Sequence, residues 1–274
     1  MYSIYHFWEY IVHNKASFSR VDNLAQFEFD ADMLSCKNIG IFPDLAIKLN
    51  KDRSIFSGGE LIELKDSKTY VVSSFNSTIP TRKKSIHKII PSEQSTIYLQ
   101  MKIAGDDVFS LEDRDVYYLV RGQKRGKQKI CLVYGGFFET ISAKELISQS
   151  FGLILDEKLA GTNVSEELKE QLRAIFSEQA DFSRVRNVNK ASVKLRFRIL
   201  TEVKPEGNIL DSKQYPEILD DSVNFLVPYY SEAERADALE KMELVIGRDA
   251  MEKIHVFSLK HPLNGWFIVF QVNL

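Results

Sequence analysis

Cysteine is scarce in this chain of 274 residues: there are two, Cys36 and Cys131. No basic-then-apolar leader opens the sequence, so a secreted, disulfide-held scaffold is not expected and the compartment expected is the cytoplasm. Long hydrophobic runs are missing too. No apolar stretch is longer than residues 266–270, far short of the roughly 20 residues that a membrane span needs, and no membrane partner is expected. The 7 prolines are scattered, and no repeat, low-complexity tract or Pro/Gly-rich linker divides the chain, so a single domain over residues 1–274 is expected. An excess of either charge is also lacking: 36 Lys+Arg stand against 38 Asp+Glu, a net charge of −2. Bulk charge therefore gives no argument for a polyanionic partner, and local patches must decide. What is present is ordinary for a soluble globular chain, with 44% hydrophobic and 27% charged residues, enough to bury a core and to exclude disordered and fibrous classes.

Tyr2, Tyr5, Phe7, Trp8 and Tyr10 are interleaved with polar positions, which predicts an amphipathic helix over the first dozen residues. Leu45, Ile47 and Leu49 alternate with Asp44, Ala46 and Lys48; turn-forming residues follow at 50–54 and 57–59, then a second alternating run at 60–65. This is the pattern of a β-hairpin. Residues 116–120 and 130–134 predict two further strands, joined by the polar segment 121–129 and ended by Gly135-Gly136. Helical periodicity marks residues 165–176, with Leu168, Leu172, Ile175 and Phe176 on one face, and residues 231–244, where Ser231 and Glu234 have capping-box spacing. Val193, Leu195, Phe197 and Ile199 alternate as a strand, and residues 266–272 predict a buried one. Helices and a mixed sheet sharing one chain give an α/β fold.

The chemistry-bearing stretch is the first hairpin. Alternate residues of a strand share a face, so Leu45, Ile47, Leu49, Ile62 and Leu64 point to one core while Asp44, Glu63 and Lys65 share the other side. The midpoint between Asp44 and Glu63 falls at Arg53-Ser54, inside the predicted turn, so antiparallel pairing would bring two carboxylates and an amine together across strands roughly 4.8 Å apart. Such a set suits Mg²⁺ held against a phosphate, with Asp44 and Glu63 as ligands and Lys65 orienting or deprotonating the attacking water. A second triplet, Asp66-Ser67-Lys68, follows directly; parity places Asp66 with Ile62 and Leu64, so Glu63-Leu64-Lys65 is kept.

Pro43-Asp44, 18 intervening residues and Glu63-Leu64-Lys65 resemble the PD-(D/E)xK motif of type II restriction endonucleases and related nucleases. The resemblance covers residues 39–85 and implies a restriction-endonuclease-like mixed central β-sheet flanked by helices, with a catalytic hairpin at about 39–70. It further implies Mg²⁺-dependent hydrolysis of phosphodiester bonds at a short site in double-stranded DNA, a two-fold homodimer and a place in a restriction–modification system. Folds of this kind often add an acid from an early helix, for which Glu9 and Glu28 are candidates. Other readings stay open: a repair or recombination nickase with the same core, a non-catalytic DNA-binding module, or a hairpin of ordinary solvated ion pairs.

Three segments carry the residue types that grip nucleic acid. Residues 68–84 offer Lys68, Ser73, Asn76, Ser77, Thr78, Arg82 and Lys83, though a plain connecting loop has the same composition. Residues 121–129 hold five basic side chains and no acid, including Arg121, Lys124 and Arg125, which fits a groove-contacting loop or a simple hairpin turn. Residues 184–198 place Arg184, Arg186 and Asn187 before a strand whose Lys194, Arg196 and Arg198 form one basic face. The histidines His6, His13, His87, His255 and His261 lack zinc-ligand spacing, and Gly58-Gly59 is neither a Walker loop nor a dinucleotide fingerprint, so no zinc and no nucleotide cofactor are expected. Cys131 reads as a buried small hydrophobe, and the acidic residues within 211–221 as a solvated loop or, less simply, a second metal site.

Overall fold

A computed structural model describes residues 3–13, 33–35, 45–47, 60–72, 74–76, 80–85, 113–139, 143–177, 188–190, 193–195 and 200–274. The chain divides into two compact units: Met1–Ser73, Arg82–Phe138 and Val203–Leu274 form the first, and Ser74–Thr81 with Glu139–Glu202 form the second.

Among the described residues, the first unit is built on a nine-stranded mixed sheet. Its strands are β1 (Met33–Ser35), β2 (Leu45–Ile47), β3 (Leu61–Ser67), β5 (Lys83–Lys84), β6 (Arg114–Lys124), β7 (Lys127–Tyr134), β11 (Ser222–Tyr229), β12 (His255–His261) and β13 (Gly265–Asn273). They lie in the order β1-β2-β3-β6-β7-β11-β13-β12, and β5 pairs with β6. Two pairs are parallel, β3 with β6 and β7 with β11. Parallel neighbours need long crossovers, and the two segments of the second unit fall within these two connections. The sheet is mixed and helix-flanked, as the alternating patterns predict.

Pairing registers assign each side chain to a face. Ile62, Tyr117 and Leu119 share one face with Leu132, Phe225 and Phe270. Helix α1 (Ser3–His13) covers it: the Tyr5 and Trp8 rings lie 5.1 and 6.2 Å from Phe225, and Ile4, Phe7 and Ile11 are buried as well. The predicted N-terminal helix thus forms because its aromatic stripe has this face to bury. The other face carries Glu63, Lys65, Tyr118, Val120, Lys129, Cys131, Asn224 and Gln271. It is covered by the 3₁₀ turn at Gly135–Phe137 and by residues 205–218, with Phe137 packed 5.1 Å from Phe267 and 5.6 Å from Tyr215.

Strand β11, which periodicity does not reveal, sits between β7 and β13 at the middle of the sheet. Its polar residues are partnered inside the sheet. Asn224 donates to Ser222 Oγ at 2.8 Å and to the Ile130 carbonyl at 3.2 Å, and Gln271 donates to Asn224 Oδ1 at 2.7 Å. Asp221, at φ +53°, pins the strand's start: its amide donates to the Gln128 carbonyl and its carboxylate accepts from the Gln128 amide. Asp221 is therefore a structural corner.

In the second unit β4 (Ser74–Asn76) pairs with β10 (Leu200–Glu202), and β8 (Val188–Lys190) forms a hairpin with β9 (Val193–Leu195). Helices α2 (Ala143–Leu159) and α3 (Glu166–Ser177) pack on each other, joined by Arg173 to Asp156. The apolar face predicted for residues 165–176 is not a core face: Leu168 is 45% and Ile175 61% exposed. Helix α4 (Glu232–Ile246), back in the first unit, has the expected cap: Ser231 Oγ accepts from the Glu234 amide, and Glu234 reaches back to the Tyr230 amide at 2.7 Å. A short helix, α5 (Arg248–Met251), follows.

Candidate active site

Strand β3 is flanked on both sides, by β2 in antiparallel and by β6 in parallel pairing. On β2, Leu45 pairs with Ile62 and Ala46 with Leu61, the register whose midpoint falls between Arg53 and Ser54. Asp44 itself lies outside the described residues; it is the chain neighbour of Leu45, and Glu63 is the chain neighbour of Leu45's partner.

Glu63 is only 8% exposed, and the register gives it Tyr118 as neighbour on the same face. Alternation returns Lys65 to that face, and its ammonium donates to Glu63 Oε1 at 2.8 Å. A carboxylate taken out of water inside a sheet is costly unless an opposite charge meets it in good geometry, and this charge-assisted bond supplies that. A buried ion pair contributes little net stability compared with apolar side chains of similar volume. The pair is part-buried beside Leu61 and Val120, both 1% exposed. Asp66 faces the other way, as parity requires, and accepts from Arg121 Nε at 2.8 Å. Among the described residues no group of three or more His, Cys, Asp or Glu is gathered where a metal could be held.

The candidate DNA-binding residues are dispersed over the chain. Lys68, Lys124 and Arg125 are exposed at one end of the sheet. The segment 121–129 is mostly strand, its turn reduced to Arg125 and Gly126. Arg121 is committed to Asp66, and Lys83 lies 3.9 Å from Asp115. Arg82 is exposed, while its carbonyl accepts from the Val116 amide. Asn76 and Lys194 lie in β4 and β9 of the second unit, where Lys194 pairs with Asn189. Ser73, Ser77, Thr78, Arg184, Arg186, Asn187, Arg196 and Arg198 lie outside the described residues, as does Glu28. Glu9 is bonded to His6 at 3.3 Å on α1, which packs on the opposite face of the sheet from Glu63. That position separates Glu9 from the Glu63–Lys65 pair.

Sequence patterning does not identify Tyr70, Gly122, Lys129 and Asn208, which together fix the segment leaving β3. Lys129 is fully buried, yet it falls in a stretch that reads as a polar connection. Its ammonium donates to Ser212 Oγ at 2.8 Å and lies 5.0 Å from the Tyr70 ring centre. Burial pulls its pKa below the usual lysine value, against the attraction of Asp220 and Asp211. Asn208 accepts from the Val72 amide and donates to the Tyr70 carbonyl, each at 3.0 Å. Cys131, beside Lys129 on the same face, is buried as expected, and burial pushes its thiol up to about 12, which makes it inert as a nucleophile.

No family model, no curated protein and no solved structure matches the chain.

Proposed function

We propose that the protein is a Mg²⁺-dependent endonuclease acting on double-stranded DNA, of the type II restriction kind, with Asp44, Glu63 and Lys65 as its catalytic residues. The observation that carries this is the buried Glu63 carboxylate bonded at 2.8 Å to Lys65 on a strand whose antiparallel partner begins one residue after Asp44. One further step of the Leu45–Ile62 register would set Asp44 opposite Glu63, and resemblance to the PD-(D/E)xK motif assigns the same three residues.

The donor set suits a hard cation. Glu63 would contribute a carboxylate oxygen and Asp44 another, and a metal of this class keeps waters in its remaining positions. When bound, Mg²⁺ acidifies a water and offsets charge on the phosphate. Lys65 has a separate part. Its Nζ, already donating to Glu63 Oε1, would donate to a phosphate oxygen or hold the attacking water. Glu63 thereby orients Lys65 as well as serving as a ligand.

Digestion of a long unmethylated duplex with Mg²⁺ or with EDTA tests this, using wild type, Asp44→Ala and Glu63→Ala. Discrete fragments that require Mg²⁺ and disappear with both variants are expected. Nicked circles without linear product from a supercoiled plasmid would turn the assignment to a nickase. Cleavage unaffected by Glu63→Ala would overturn the catalytic assignment, and uncut DNA with salt-sensitive binding alone would leave a DNA-binding module.

A further inference from the structure

Beyond Glu63 and Lys65 the segment leaving β3 is docked on β6. Thr69 and Tyr70 lie directly on β6 because position 122 has no side chain: a Cβ on Gly122 would meet the Thr69 carbonyl oxygen at 2.9 Å and Tyr70 Cδ1 at 3.1 Å. Tyr70 is then held from several sides. Asn208 binds its carbonyl, and the ammonium groups of Lys129 and Lys124 stand 5.0 and 5.7 Å from the ring centre. Lys129 is buried, whereas Lys124 is exposed with its charge at the surface. The turn running into Tyr70 is ordered by Ser67 Oγ, which accepts from the Thr69 amide at 3.2 Å, and it presents Lys68 to solvent.

The hairpin tip adds a third cation. β6 and β7 are joined by Arg125 at φ +52° and Gly126 at φ +79°, the two-residue turn for which Asn-Gly is the preferred pair. Arginine adopts that backbone only against a steric penalty, and its side chain is exposed. Neighbouring charges sort themselves into pairs around it. Arg121 takes Asp66, Lys127 takes Asp220, and Asp221 accepts from the Gln128 amide. Among the described residues no carboxylate forms an ion pair with Lys68, Lys124 or Arg125. In a chain of net charge −2, these three cations, on the two turns and at the end of β6, form a local positive site, and Lys124 shares the sheet face of Glu63 and Lys65.

We propose that this surface, the β6–β7 tip together with the Ser67–Tyr70 turn docked on it, is a contact for the phosphate backbone of duplex DNA, with Lys68, Lys124 and Arg125 as its phosphate ligands. The choice of DNA among polyanions rests on the nuclease function proposed above. Phosphate contacts of this kind position a duplex without reading its sequence, so the site sets affinity and register, and specificity lies elsewhere.

Fluorescence anisotropy of a labelled duplex in EDTA, over about 50 to 200 mM salt, tests this in the full-length protein. The variants are Arg125→Asn, Lys124→Gln and the two combined. Asparagine suits the left-handed backbone, so an unchanged or raised urea midpoint shows that the fold is kept. Each single variant is expected to weaken binding about fivefold near 0.15 M salt and to flatten the log–log salt slope by about one, equally on unrelated sequences. Wild-type affinity and slope in the double variant would overturn the proposal, as would absence of duplex binding by wild type, or equal effects of the substitutions on binding to phosphatidylserine vesicles. Failure of the catalytic assignment is separately visible: duplex binding would depend on Lys124 and Arg125 while Glu63→Gln left cleavage intact.

Discussion

Substituting Gly122 by alanine should damage the protein far more than one methyl group suggests. The added Cβ would lie 2.7 Å from Leu210 Cδ1, 2.9 Å from the Thr69 carbonyl oxygen and 3.1 Å from Tyr70 Cδ1. Leu210, itself buried, can shift a side-chain carbon. The Thr69 oxygen is main chain and moves only if the segment after β3 lifts from the sheet. Overpacking of this kind costs about 1–3 kcal/mol. Lifting also strains the two Asn208 bonds to Tyr70 and Val72, at about 1 kcal/mol each if lost, so the expected loss is about 2–4 kcal/mol. Urea unfolding followed by tryptophan fluorescence measures it. Gly152→Ala is the matching control: Gly152 lies within helix α2 with nothing within 4 Å of a new Cβ, so alanine there should add about 0.5–1 kcal/mol. The same chemical change should thus carry opposite signs at two positions. A Gly122→Ala protein within about 0.5 kcal/mol of wild type, below the usual cost of overpacking, would refute the account of how Tyr70 is seated.

Two further outcomes follow from the geometry. Ser231→Ala removes the oxygen that accepts from the Glu234 amide and should lower stability by about 1 kcal/mol; an unchanged urea midpoint would show that Glu234 alone holds the start of α4. His261 should make stability pH-dependent. Its Nδ1 accepts from the Leu263 and Asn264 amides at 3.1 and 3.0 Å, and burial holds its pKa below the usual 6.5 despite the opposing influence of Glu206. As pH falls below about 6.5 the unfolded chain takes up a proton that the folded protein refuses, so stability present at neutral pH declines, by at most about 1.4 kcal/mol per pH unit. The stability difference between wild type and His261→Asn should narrow between pH 7.5 and 5.5; parallel pH curves would contradict this.

Local signals were enough for several elements. Aromatic spacing marked α1, Ser231 and Glu234 marked the start of α4, and uninterrupted apolar runs marked β7 and β13. Strand β11 escaped because Ser222, Asn224 and Pro228 break its apolar pattern, and the partners that satisfy Asn224 are on other strands. Lys129 looked like part of a polar turn because its hydroxyl partner, Ser212, is 83 residues away. Leu168 and Ile175 made the opposite case: helical periodicity identified a shared face but could not say that the face stays exposed. At the candidate site, alternation alone put Glu63 and Lys65 on one side of β3. Burial of Glu63 and the closed bond between the two depend on how β6 and its neighbours cover that side, which local patterning does not encode. The grip on Tyr70 likewise needs β6, β7 and Asn208, residues from three separate stretches of chain.

Catalysis by Glu63 is tested by pairing duplex binding in EDTA with duplex cleavage in Mg²⁺ for wild type and Glu63→Gln. Glutamine keeps the shape and can still accept from Lys65 Nζ, but it removes the charge that a cation needs. The expected result is cleavage reduced by about a thousandfold, the scale of losing one electrostatic element of a phosphoryl-transfer site, with binding retained or strengthened. Cleavage within a few-fold of wild type, or lost in step with binding and stability, would contradict a catalytic role for the Glu63–Lys65 pair.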